Sequence, residues 1–115
     1  MQVATAKPTT DCPGSNGTIW TGPGTSISYI KYCGANFASQ AYKQALVGAN
    51  LPSFDLCISM CDSINYFQNT KNATGAVFNL GGPGSQALGT CWCVQAIGYV
   101  LGSDASFDIA VQPSQ

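Results

Sequence analysis

The chain has 115 residues, 45% of them hydrophobic and 8% charged, with a formal net charge of −1. The acids are Asp11, Asp55, Asp62, Asp104 and Asp108, the bases are Lys7, Lys31, Lys43 and Lys71, and Arg, Glu and His are absent. That length fits one domain with a modest core. The scattered lysines give no electrostatic footprint for nucleic acid or anionic lipid, no run approaches a membrane span, and without His there is no Ser–His or Cys–His relay.

Residues 1–11 read as a flexible N-terminal segment. They hold no apolar core of the kind a secretory leader needs, so the sequence reads as a mature chain. Residues 12–115 read as a single disulfide-rich binding domain without an internal repeat. A short strand is expected at 18–20, followed by a turn at Gly22-Pro23-Gly24. Residues 27–33, rich in β-branched and aromatic side chains, read as a second strand. Residues 36–47 read as a helix. Asn36 can cap it, Phe37, Ala41 and Ala45 recur at intervals of four, and Gly48 can close it. A stronger helix is expected at about 53–66, with Ser53 as its cap and Asp55 at its positive end. Its apolar stripe is Phe54, Cys57, Ile58, Cys61 and Ile64.

Residues 65–75 read as a polar loop, 76–80 as a strand and 90–97 as another. Residues 107–111 alternate in the manner of a half-buried edge strand. The glycine-rich stretch 81–89 lacks both the P-loop lysine and the GxGxxG order, so it reads as a hairpin connection and not a phosphate cradle. Connections of that kind often line ligand sites. Two N-glycosylation sequons begin at Asn16 and Asn72, both in turn-like stretches of the kind a secreted protein exposes.

Six cysteines, with no His and no CxxC, point to disulfides and not to zinc. That places the protein in a secretory or extracellular compartment, with no metal or cofactor expected. Cys57 and Cys61 share one face of a helix, about 6 Å apart along its axis. Cys91 and Cys93 share one face of a strand, about 6.6 Å apart. A helix lying along a strand can therefore be pinned by two neighbouring bridges. The fold class that follows is α+β: an antiparallel sheet with a stapled helix on one face and the 36–47 helix on the other, an αβα sandwich. Trp92 then points away from the stapled helix. It is either buried under the second layer or left on an open face as a ligand platform.

The pattern resembles the PAN/apple family, especially its small secreted fungal members. The resemblance rests on Cys12-Pro13 with Asn16-Gly17, on Tyr29-Ile30-Lys31-Tyr32-Cys33, on residues 53–62 with their helical CxxxC, and on Thr90-Cys91-Trp92 after the strand at Ala76-Val77-Phe78. It spans most of residues 12–111. Two departures stand out: the family's cysteine just after the helix is missing at Thr74-Gly75-Ala76, with Cys93 as the extra one, and the 36–50 stretch is longer than expected. Both fit a related but distinct small fungal lectin fold. The resemblance implies the bridge Cys57–Cys91, with Cys93 replacing the lost partner of Cys61 and Cys12–Cys33 remaining. The swapped pairing, Cys57–Cys93 with Cys61–Cys91, is the competitor, because helix and strand directions are not visible in the sequence.

The family's members are non-catalytic binding modules, so the resemblance implies recognition of carbohydrate or protein. The leading expectation is a lectin for a carbohydrate or glycoprotein ligand, sited near the 81–89 loop and the 98–106 turn. The candidate residues are Trp92, Tyr99, Asp104, Asp108 and Asn79. A protein-binding effector without sugar recognition is the second expectation. A small glycosidase, using Asp104 with Asp108 or Asp55 with Asp62, is the third. A homodimer is expected to form through a free strand edge such as 107–111.

Overall fold

The computed structural model describes residues 8–39, 42–81 and 88–113. In chain order the elements are β1 (Ile19–Thr21), β2 (Ser28–Tyr32), β3 (Ala35–Ser39), β4 (Tyr42–Asn50), α1 (Phe54–Gln68), β5 (Gly75–Asn79), β6 (Thr90–Ile97), β7 (Val100–Ser103) and β8 (Phe107–Val111). Six of the strands form one antiparallel sheet in the order β1-β2-β8-β5-β6-β4, and β3 pairs with β7 in a second, two-stranded sheet. The class is α+β, as expected.

Helix α1 begins where its chemistry requires. The Ser53 side chain accepts the Leu56 N–H at 3.1 Å, Asp55 sits in the first turn, and Asn69 closes the end in a left-handed conformation (φ 53°). Phe54, Cys57, Ile58 and Cys61 are buried against the sheet, joined by Phe78, Cys91, Cys93 and Ala110. The bridges are Cys57–Cys91 (Cα–Cα 5.5 Å), Cys61–Cys93 (5.2 Å) and Cys12–Cys33 (5.6 Å). This is the pairing the resemblance implied, and the swap does not form. The lower-numbered helix cysteine meets the lower-numbered strand cysteine, so α1 and β6 run in the same sense.

The expected second helix at 36–47 is absent. Of those residues, 36–39 lie in β3 and 42–47 in β4, while 40 and 41 fall outside the described residues. An apolar interval of four fits a helix, but it is also a multiple of two, so Phe37 and Ala45 serve a strand equally well. Pairing with β6 decides the matter: β4 runs along it from Tyr42↔Ile97 to Asn50↔Thr90, with a bulge between Ala45 and Val47. The middle of the sheet face opposite α1 is covered by the β3–β7 sheet, where Phe37, Tyr99 and Leu101 pack on Val77, Ile109 and Val111. The 98–106 segment, expected as a turn, thus supplies β7.

Strand β8 is interior and not an edge. It pairs with β2 on one side and β5 on the other, and Asp108 through Val111 are buried. The alternation that suggested an edge came from Asp108, whose carboxylate is sequestered by Thr10 Oγ1 (2.8 Å) and the Gly34 N–H (3.0 Å). The strands with one open side in the six-stranded sheet are β1 and β4.

Of the segment 1–11 expected to be flexible, residues 1–7 lie outside the described residues. Residues 8–11 are tied down: the Thr9 N–H donates to the Pro52 carbonyl, the Phe54 N–H donates to the Thr9 carbonyl, and Asp11 meets Lys31.

Polar groups on the helix side are paired. Lys31, 5% exposed, reaches Asp11 and Asp55, each at 2.7 Å. Burial opposes its charge, but the hydrogen bonds and charges of the two aspartates outweigh that and hold the ammonium above its usual range. Burial likewise works against the Asp11 carboxylate, yet the bonds from Lys31 and Ser15 leave it below its usual range. The Tyr29 hydroxyl donates to Asp62 at 2.7 Å and accepts from Asn65 at 2.9 Å. Burial and the Asp62 carboxylate push this phenol far above its ordinary range.

Candidate functional site

The sheet face away from α1 is only partly roofed. The β3–β7 sheet covers the middle strands and leaves a cleft of about 230 Å³ toward β4, lined by Asn36, Lys43, Ala45, Val77, Trp92, Val94 and Phe107. Trp92 stands on β6 between the bridged Cys91 and Cys93, opposite Gly48 of β4 and Val77 of β5. Strand alternation explains the placement, since both sulfurs go to the helix and the indole goes to the other face. A Cβ added at Gly48 would lie 2.5 Å from the indole's benzo ring, so glycine is what lets that ring lie against β4. The second layer stops short of the indole, which remains 36% exposed.

The rim is built by β3 and β4. Lys43 Nζ lies 5.5 Å from the centroid of the Phe37 ring, and Phe37 is held edge-on by Tyr99 at 5.3 Å. The Asn36 side-chain oxygen accepts the Phe37 N–H at 2.8 Å. Among the described residues no carboxylate lines the cleft.

Of the expected site residues, Trp92 lines this cleft. Tyr99 stands behind Phe37 as packing, its hydroxyl donating to the Gln112 carbonyl at 2.8 Å. Burial, with a smaller contribution from Tyr32, raises that phenol above its usual range. Asn79 is fully buried at the end of β5, its side-chain oxygen accepting the Gly81 N–H at 3.0 Å. Asp104 closes the turn before β8 by accepting the Ser106 N–H at 3.1 Å. Asp108 lies on the helix side of the sheet, near the Cys12–Cys33 bridge. The structure therefore does not gather these five residues into one site. Of the 81–89 loop expected beside them, residues 82–87 lie outside the described residues.

The sequence reading missed Asn36, Lys43, Ala45 and Phe107 as cleft residues. The first three fell inside the expected helix, where Lys43 has no relation to Trp92. The available signal was Gly48, which permits a large cross-strand neighbour.

The remaining carboxylates are engaged. Asp62 accepts from Thr25 Oγ1 and Tyr29, each at 2.7 Å, and Asp55 serves Lys31, so the pair considered for glycosidase chemistry is committed to the frame. All six sulfurs are in bridges. A second, more polar cleft of about 330 Å³ lies between the 22–27 turn and the end of α1, lined in part by Thr25, Asn65, Tyr66, Asn69 and Lys71. Its Asn65 is fully used, with partners in Tyr29 and in both backbone groups of Ala73. Both sequon asparagines, Asn16 and Asn72, are exposed. The Asn16 side-chain oxygen accepts the Cys33 N–H, leaving its amide nitrogen on the surface. No helix among the described residues is long and apolar enough to cross a membrane.

Comparison with protein-family models, with curated proteins and with solved structures found no match to this chain.

Proposed function

We propose that the protein is a secreted, non-catalytic recognition module that binds carbohydrate at the Trp92 cleft. The observation that carries this reading is Trp92 itself. It is a large ring fixed between two bridged cysteines, backed by glycine, and still open to solvent on the face that the second layer leaves uncovered. A sugar ring presents an apolar face that stacks on such an aromatic, and polar groups at the rim set its orientation. Preorganisation lowers the ordering cost of binding.

Support for a non-catalytic role comes from the carboxylates. A glycosidase needs two flanking its substrate, whereas those described here hold the frame together away from Trp92. Support for secretion comes from the three disulfides, and the exposed Asn16 and Asn72 fit modification on that route. A glycan array with the oxidised protein tests the reading. The expected result is a set of glycan hits that Trp92→Ala abolishes and Trp92→Phe partly retains, with both variants folded. An array without hits, or hits that Trp92→Ala leaves intact, overturns it.

A further inference from the structure

The cleft's polar groups all offer hydrogens. Lys43 brings an ammonium with no acceptor capacity, and the Trp92 indole N–H can only donate. Asn36 has one lone pair of its side-chain oxygen engaged by the Phe37 N–H, so its two amide hydrogens are the larger part of what it offers a ligand. The other lining residues, Ala45, Val77, Val94 and Phe107, are apolar. A neutral sugar brings hydroxyl groups that must donate as well as accept, and the side chains of this cleft offer many more donors than acceptors, the one acceptor being the second lone pair of the Asn36 oxygen. A ligand rich in acceptors fits it.

Charge points the same way. Of the described lysines, Lys31 is neutralised by Asp11 and Asp55, whereas Lys43 and Lys71 make no ion pair among the described residues, and of those two Lys43 stands at this cleft. Its ammonium is carried over the Phe37 ring at the cleft rim, and Tyr99 fixes that ring from behind.

We propose that the Trp92 cleft selects an acidic saccharide: a sugar ring stacked on Trp92 whose carboxylate or sulfate is taken by Lys43 and the Asn36 amide. This rests on the carbohydrate reading and narrows it to a ligand class. A charge-assisted contact of this kind strengthens binding by about tenfold or more over the neutral analogue, and added salt weakens it.

The test is calorimetric titration of the oxidised protein with four probes: trigalacturonate, a sulfated galactose trimer, neutral galactotriose and a short polyglutamate. Lys43→Gln and Lys43→Arg are run alongside the wild type, with melting curves confirming that each variant folds. The expected result is binding of the carboxylated or the sulfated trimer about tenfold or more tighter than galactotriose. Lys43→Gln should erase that preference and Lys43→Arg keep it. Which trimer wins tells carboxylate from sulfate. Equal or tighter binding of galactotriose, or an acidic preference that survives Lys43→Gln, overturns the proposal while leaving the carbohydrate reading standing. Polyglutamate binding as tightly as the acidic trimers overturns it in favour of an acidic peptide. Failure of all four probes together with an empty glycan array overturns the carbohydrate reading itself.

Discussion

The two faces of the six-stranded sheet are built on opposite plans. The helix face is closed: it carries two disulfides, a buried lysine with two aspartates, and a Tyr29–Asp62–Asn65 network with every partner in place. The other face is roofed by only two strands, and at its open end it leaves an aromatic ring and a lysine that has no ion pair among the described residues. The lesson is a division of labour. Satisfied polar groups and covalent links make one face stable, and that stability lets the other expose groups that would otherwise pack.

The sharpest way to break this contrast is to cut a staple. Cys61→Ala with Cys93→Ala is expected to cost about 2–4 kcal/mol in urea unfolding, and the folded double variant should keep the wavelength of its tryptophan emission, to which Trp20 and Trp92 both contribute. Removing the network is the next largest effect. Asn65→Ala strands the Ala73 amide and removes one partner of Tyr29, while the Ala73 carbonyl keeps the Gln112 amide, and is expected to cost about 1–3 kcal/mol by the same measurement.

The open face should respond differently. Gly48→Val drives a methyl-bearing carbon into the indole, so the ring must swing away. The expected cost is about 1–2 kcal/mol, with a shift in tryptophan emission and loss of glycan binding.

The pH dependence of stability isolates the Lys31 cluster. Asp11 is held below its ordinary 3.8, so its contribution is present above that value and is lost as pH falls through the lower folded value. Because that carboxylate is half exposed, the acid loss is expected to be below about 1 kcal/mol. Lys31 and Tyr29 are both raised above their ordinary values of 10.5 and 10.0, so stability should also fall as pH climbs beyond them. Urea titrations across pH, with Lys31→Met reducing the acid loss to what the Ser15 bond sustains and removing the lysine part of the alkaline loss, check this. The smallest expected stability effect belongs to Trp92→Ala, at about 0.5–1 kcal/mol, although its effect on binding should be complete. A large stability cost there would mean that the indole is a packing residue, and the contrast between the faces would collapse.

How much of this was legible in the sequence depends on which spacings were ambiguous. Helix α1 was readable because Phe54, Cys57, Ile58 and Cys61 mix odd and even offsets, which no strand places on one face. Residues 36–47 were misread because Phe37, Ala41 and Ala45 differ by four, an interval strands share, and only the distant partner β6 resolves it. The bridges followed from the family resemblance, but helix direction, which distinguishes them from the swap, is a tertiary property. Within the site, Trp92 was visible because alternation placed it opposite two half-cystines. Asp108 was misjudged because its burial depends on Thr10, 98 positions away. Lys43 was out of reach for the same reason that β4 was.

Trp92 lies between Cys91 and Cys93, each bonded to the same helix. A tethered polymer pulling on that ring would load β6 on both sides of a point anchored by sulfur. The strand cannot shear past α1 without breaking covalent bonds, so under tension the grip on the ligand should give way before the protein does.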